Sequence, residues 1–122
     1  MVRRVHSEEE HALIVVHHED TLLQDLGGGN TRRILAWNDD LMLVEVGFDS
    51  GTVGAVHSHV HTQSSLVLSG RFKYTIEDET VEIGPGDSVI VPSGKLHGTL
   101  CIEAGKLLDV FTPARQDFII RT

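Results

Sequence analysis

Turn-forming residues punctuate this chain too closely for helices of ordinary length. Breakers stand at Gly27-Gly28-Gly29-Asn30, Asn38-Asp39-Asp40, Asp49-Ser50-Gly51, Ser69-Gly70, Gly84-Pro85-Gly86-Asp87, Pro92-Ser93-Gly94 and Glu103-Ala104-Gly105. A mean α-helix takes about 11–12 residues. The intervals hold instead short runs rich in Val, Ile, Leu, Phe, Tyr and Thr. These runs predict strands at Leu13–His17, Thr31–Trp37, Leu41–Phe48, Val53–His59, Ser64–Leu68, Phe72–Glu77, Glu79–Ile83, Ser88–Val91, Gly98–Ile102, Lys106–Thr112 and Asp117–Ile120. Short strands with regular turns specify an all-β sandwich or barrel. Within Arg71–Glu77, Phe72, Tyr74 and Ile76 fall on one face and Arg71, Lys73 and Thr75 on the other. The three glycines at 27–29 precede no helix, so they read as a loop rather than a phosphate cradle.

The chain has 122 residues, one domain's worth, and 40% of them are hydrophobic, enough to exclude a disordered polypeptide. Ten Lys and Arg against 18 Asp and Glu leave a formal charge of −8, which repels phosphates and argues against a nucleic-acid partner. The lone Cys101 rules out an internal disulfide and fits a reducing compartment. No apolar run approaches the roughly 18 residues of a membrane span, so no membrane partner is expected. Arg3 and Arg4 resemble the start of a signal peptide, but Glu8, Glu9 and Glu10 follow, and the apolar run Ala12–Val16 is short of the roughly 7–15 residues of a secretory core. The expectation is a cytoplasmic protein without a targeting signal. Residues 1–20 form an N-terminal extension, either a frayed tail or a strand that helps pair subunits in a homodimer. Residues 21–122 form the barrel domain.

Eight histidines are spread unevenly. His57 and His59, two apart on a predicted strand, leave the same face and can converge on one metal ion. Gln63 follows within reach if the chain bends, and antiparallel pairing can bring His97 beside the pair. Three imidazole nitrogens and one amide oxygen suit a single divalent ion, Zn, Ni, Mn or Fe. A lone H-x-H is more often a pair of surface histidines. Here the pair stands inside a longer frame. Gly51, His57, His59, Gln63 and Gly70 fit G-x5-H-x-H-x3-(E/Q)-x6-G, and Gly86, Pro92, Gly94 and His97 fit G-x5-P-x-G-x2-H. These are the two motifs of the cupin superfamily, and the chain resembles a small single-domain cupin from about Gly51 to Cys101. The resemblance implies a double-stranded β-helix, or jelly-roll barrel, with a metal held in its mouth. Gln63 stands where many cupins have Glu, which leaves the ligand set neutral and the ion's charge undiminished. Cys101 replaces a frequent Asn and reads as a small buried hydrophobe. His61 is placed to line the cavity mouth, whereas His6, His11, His17 and His18 read as solvated.

Leu107, Asp109 and Phe111 share one face of a predicted strand. A carboxylate there is costly without a partner. Asp109 is therefore either a salt-bridged or strand-capping residue, or a general acid/base facing the interior. Arg115 has a fork suited to clamping a carboxylate through two parallel hydrogen bonds. The run Leu107–Phe118, with Leu41–Val46 and His57–Gln63, resembles the pectin-degradation uronate-linearising proteins. These cupins open the ring of 4,5-unsaturated uronates released by pectin and alginate lyases. The resemblance implies metal ligands at His57, His59, Gln63 and His97, substrate handling by Asp109, Phe111 and Arg115, and a small anionic sugar as substrate. The rival readings are a cupin dioxygenase with a redox metal and a non-enzymatic sugar- or metabolite-binding barrel.

Overall fold

The computed structural model describes residues 13–119. It holds eight strands: β1 (Gln24–Gly27), β2 (Asn30–Trp37), β3 (Met42–Phe48), β4 (Val53–His57), β5 (Thr62–Ile76), β6 (Glu79–Ile83), β7 (Ser88–Val91) and β8 (His97–Thr112). The only helical pieces among the described residues are single 3₁₀ turns at His18–Asp20 and Gln116–Phe118. Among the described residues no helix is long and apolar enough to cross a membrane.

Every strand pairing is antiparallel, along the path β1-β2-β3-β8-β5-β6, with β4 on β8 and β7 on β5. The two long strands serve two sheets each. The C-terminal half of β8 lies between β3 and the first half of β5, with Val44 opposite Asp109 and Ser65 opposite Asp109 from the other side. Its N-terminal half lies between β4 and the second half of β5, with His57 opposite His97. The result is the double-sheet jelly-roll barrel that the turn spacing and motifs imply.

Four strand expectations change. Ser69-Gly70 and Glu103-Ala104-Gly105 are not gaps between strands but irregular steps within β5 and β8, where their register shifts. Gly70 has φ 82°, and a methyl group on Gly70 or Gly105 would overlap the backbone of the facing strand, so these glycines let both strands bend together. Leu13–His17 makes no strand pairing within the protomer, and residues 1–12 lie outside the described residues. Asp117, expected in a strand, lies instead in the 3₁₀ turn, because its carboxylate pairs with Arg115 two residues back and Phe118 turns in against Phe111; Ile120 is outside the described residues. β1 was not expected, and the triple glycine closes the β1–β2 hairpin.

Two apolar clusters hold the barrel. Phe48, Val67, Phe72, Tyr74, Ile83, Val91, Cys101 and Leu107 form one; Ile34, Trp37, Met42, Val44, Phe111 and Ala114 form the other. Phe72 and Tyr74 are fully buried, as their alternation requires, and Cys101 is a buried free thiol. Between the sheets a cavity of about 580 Å³ remains, within the roughly 300–1,000 Å³ of small-molecule sites. Its wall includes His57, Gln63, His97, Asp109, Phe111 and Arg115.

Candidate metal centre

β4 ends at His57, directly opposite His97 at the start of β8, and His59 reaches the pair from the loop that follows. One ring nitrogen from each of the three lies within 4.8 Å of the others. Pairing β4 with β8 thus brings together residues forty apart in sequence. The pleat expected to align His57 with His59 stops at His57, and the loop performs the alignment instead.

Each ring is oriented by a backbone carbonyl two residues away. His57 Nδ1 donates to the Ala55 carbonyl at 2.8 Å, His59 Nδ1 to that of His61 at 3.0 Å and His97 Nδ1 to that of Lys95 at 3.0 Å. Those bonds leave the Nε2 lone pairs free, the tautomer a metal requires. Burial pushes the pKa of both His59 and His97 below the ordinary imidazole value, which keeps them neutral. His97 Nε2 is buried and has no hydrogen-bond partner.

Gln63 is aimed by its own amide. Its NH₂ donates to Ser65 Oγ and to the Tyr74 hydroxyl, both at 3.1 Å. Ser65 Oγ donates to Asp109 Oδ1 at 2.6 Å, and the Tyr74 hydroxyl lies 3.0 Å from Ser65 Oγ. With the Ser65 proton committed to Asp109, Tyr74 donates to Ser65, and both oxygens take a proton from Gln63. Gln63 Oε1 is left facing His59 Nε2 at 3.0 Å. Two acceptors so placed repel unless a cation lies against both. Ligand bonds of about 2.0–2.2 Å put neighbouring donor atoms roughly 3–3.5 Å apart, depending on whether the ion is six- or four-coordinate, so the residues present fit a divalent ion. The network also explains an amide at position 63, since it must supply protons to two hydroxyl oxygens.

Asp109 is buried on β8 with Leu107 and Phe111 on the same face. Burial pushes its carboxyl up to about 6, against the opposing pull of the Ser65 hydrogen bond and the Arg115 charge. Burial and the charge of Asp109 raise the Tyr74 hydroxyl above its ordinary range. Arg115 does not pair with Asp109. Its Nε and Nη2 donate to the two Asp117 oxygens at 3.0 and 2.9 Å, which leaves Nη1 outside that pair. Its guanidinium carbon stands 4.2 Å from the centre of the Phe118 ring and 5.2 Å from that of Phe111. The His61 ring lies 5.3 Å from that of His59, and its Nδ1 is buried without a partner. His17 and His18 are exposed, as expected; His6 and His11 lie outside the described residues.

Sequence reasoning had no role for Ser65, Tyr74, Phe118 or Arg32, all part of this cavity or its support. Ser65 had a signal: it stands two residues past Gln63, on the same face of β5. So did Arg32, two residues before the buried Ile34 on the inward face of β2.

Comparisons with known proteins agree with this fold. Residues 44–111 match the Cupin domain family. The pectin degradation protein KdgF of Dickeya dadantii is 38% identical over 103 residues, which cover 83% of this chain and 94% of that protein. Among solved structures, an RmlC-like cupin from Shewanella frigidimarina superposes with a TM-score of 0.83 at 40% identity, over 86% of this chain and 95% of that one. KdgF from Halomonas sp. superposes with a TM-score of 0.81 at 36% identity, over 86% and 97%.

Proposed function

Because this chain belongs to the cupin family, among the KdgF pectin degradation proteins, we propose that it opens the ring of 4,5-unsaturated uronic acids and favours their linear keto form. His57, His59, Gln63 and His97 would hold one divalent ion, Zn, Ni, Mn or Fe, which when bound would supply Lewis-acid polarisation of substrate oxygens. The observation that carries the reading is the geometry of Asp109, a buried carboxyl that accepts from Ser65 and lines one cavity with His57, Gln63 and His97.

The reaction is an isomerisation and needs no oxidant. The anomeric hydroxyl loses a proton, the bond between the anomeric carbon and the ring oxygen breaks with its electron pair left on that oxygen, and an aldehyde and an enolate result. Protonation of the enolate's carbon then gives the ketone. Asp109 takes the first proton and delivers the second. A carboxyl whose burial raises its affinity for the proton suits both steps. Arg115 supplies positive charge for the substrate carboxylate, with Asp117 holding the guanidinium in place. Phe111 walls the apolar side.

The test is incubation of purified, metal-analysed protein with lyase-generated unsaturated uronates while following the absorbance of the conjugated double bond. Loss of that absorbance faster than in protein-free buffer is expected. Oxygen uptake without ring opening would turn the assignment to a dioxygenase. Binding without turnover would turn it to a sugar-binding barrel.

A further inference from the structure

The cavity contains a second arginine. Arg32 lines it from β2, and its guanidinium carbon lies 4.0 Å from the centre of the Phe118 ring, the same ring that seats Arg115 at 4.2 Å. Arg32 Nε donates to Gln24 Oε1 at 2.8 Å, which fixes the stem and leaves both Nη groups out of that bond. Among the described residues no carboxylate pairs with Arg32. The acid nearest this pair of cations, Asp117, is already bound by the side edge of Arg115. Two guanidiniums on one ring, with Asp117 salt-bridged to one of them and acting on the other only through its field, carry an excess positive charge. Like charges so close are unfavourable, and desolvation adds to the cost. A chain of net charge −8 keeps this local excess inside its cavity.

We propose that Arg32 is the residue that seats the ligand's carboxylate, with Arg115 beside it as the second cation of the same seat. The inference deepens the reading above and rests on it for the substrate class. Arg115 has Nε and Nη2 both bound to Asp117, whereas Arg32 has only Nε engaged, by Gln24, so a carboxylate arriving in the cavity meets the open Nη1–Nη2 end of Arg32. Phe118 holds both guanidinium planes in place, and Gln24 keeps Arg32 from swinging outward. A planar bidentate fork selects a carboxylate over a hydroxyl or an ester. Arg32 therefore distinguishes uronates from neutral sugars, and the histidines and Asp109 deal with the oxygens at the reacting end.

The test is calorimetric titration of the protein as purified with D-galacturonate, a probe that lacks the 4,5-double bond and so cannot reach the keto product, and with D-galactose as its neutral counterpart. Arg32→Gln removes the charge and Arg32→Lys keeps the charge without the fork. Melting temperature and metal content are read on the same samples. Charge-assisted hydrogen bonds of this kind correspond to about 10- to 100-fold in affinity. Arg32→Gln should weaken galacturonate by that factor and Arg32→Lys by nearly as much, with metal content and galactose binding as in the wild type. Galacturonate binding unchanged in both variants would overturn the proposal, as would equal loss of both sugars or no galacturonate binding by the wild type. If the wild type binds galacturonate through Arg32 but leaves unsaturated uronates closed, the ring-opening function fails and the carboxylate seat stands.

Discussion

Replacing Asp109 with Asn removes a charge from a place where burial disfavours it. In the folded protein the carboxyl keeps its proton up to about pH 6, against 3.8 ordinarily. Between those values the folded state binds more protons than the unfolded one, so stability falls as the pH rises. The favourable contribution is complete below 3.8 and gone above about 6. At 1.36 kcal/mol per pH unit the gap corresponds to about 3 kcal/mol. Asn keeps the oxygen that accepts from Ser65 and has no charge to desolvate. The variant should therefore be the more stable protein at pH 7.5, by up to about 3 kcal/mol. For a chain of this length that is about 10 °C in Tm. Near pH 4 the two proteins should melt together. The assay is a thermal melt of both in metal-free form across that range, since a bound cation would itself stabilise the carboxylate. In metal-loaded form the same variant should lose about 10²- to 10⁴-fold in kcat for unsaturated uronates. An Asp109→Asn protein equal or inferior in stability to the wild type at pH 7.5, or a difference that persists at pH 4, would refute the buried, poised carboxyl.

His59→Ala and His97→Ala should each lose most of the bound divalent ion, read by elemental analysis of protein whose melting is still cooperative. Full metal in both would refute the ligand assignment. Tyr74→Phe removes one of the two acceptors that orient the Gln63 amide and should weaken metal affinity about 10- to 100-fold, measured by competition with a chelator; unchanged affinity would show that the hydroxyl does not aim the ligand. Leu13 and Val15 are exposed at 72% and 38%, an apolar edge that a homodimer would cover. Deleting residues 1–20 should lower the sedimentation coefficient toward that of a monomer, and a wild type that is already monomeric at micromolar concentration would end that idea.

Most of the barrel was legible because its signals are local. Gly84-Pro85-Gly86-Asp87 sets a turn, alternation buries Phe72 and Tyr74, and the runs at Glu79–Ile83 and Ser88–Val91 are strands with those bounds. The two long strands were not legible as single strands, since Gly70 and Gly105 break a strand in most settings. Here they permit a close crossing that depends on residues thirty-five apart. The convergence of His57, His59 and His97 followed from the motif frame, and Asp109 facing the interior followed from alternation. What spacing could not show was the orienting network. Tyr74 meets Gln63 and Ser65 only because β5 bends, and the pairing of β5 with β8 sets Ser65 against Asp109. Nor does spacing show that the fork of Arg115 closes on Asp117 or that Arg32 crosses from β2 to the Phe118 ring, which depend on how the C-terminal turn folds over the cavity.

The central claim is that one metal-loaded cavity opens unsaturated uronates, and it is tested most directly by proton NMR of a 4,5-unsaturated galacturonate incubated with three samples: protein as purified, protein stripped by chelator, and stripped protein restored with one equivalent of its own metal. The account predicts that the linear keto form appears fastest with the first and third, and at the protein-free rate with the second. Equal rates in all three samples, or a rate that stays above the protein-free value after stripping, would contradict it.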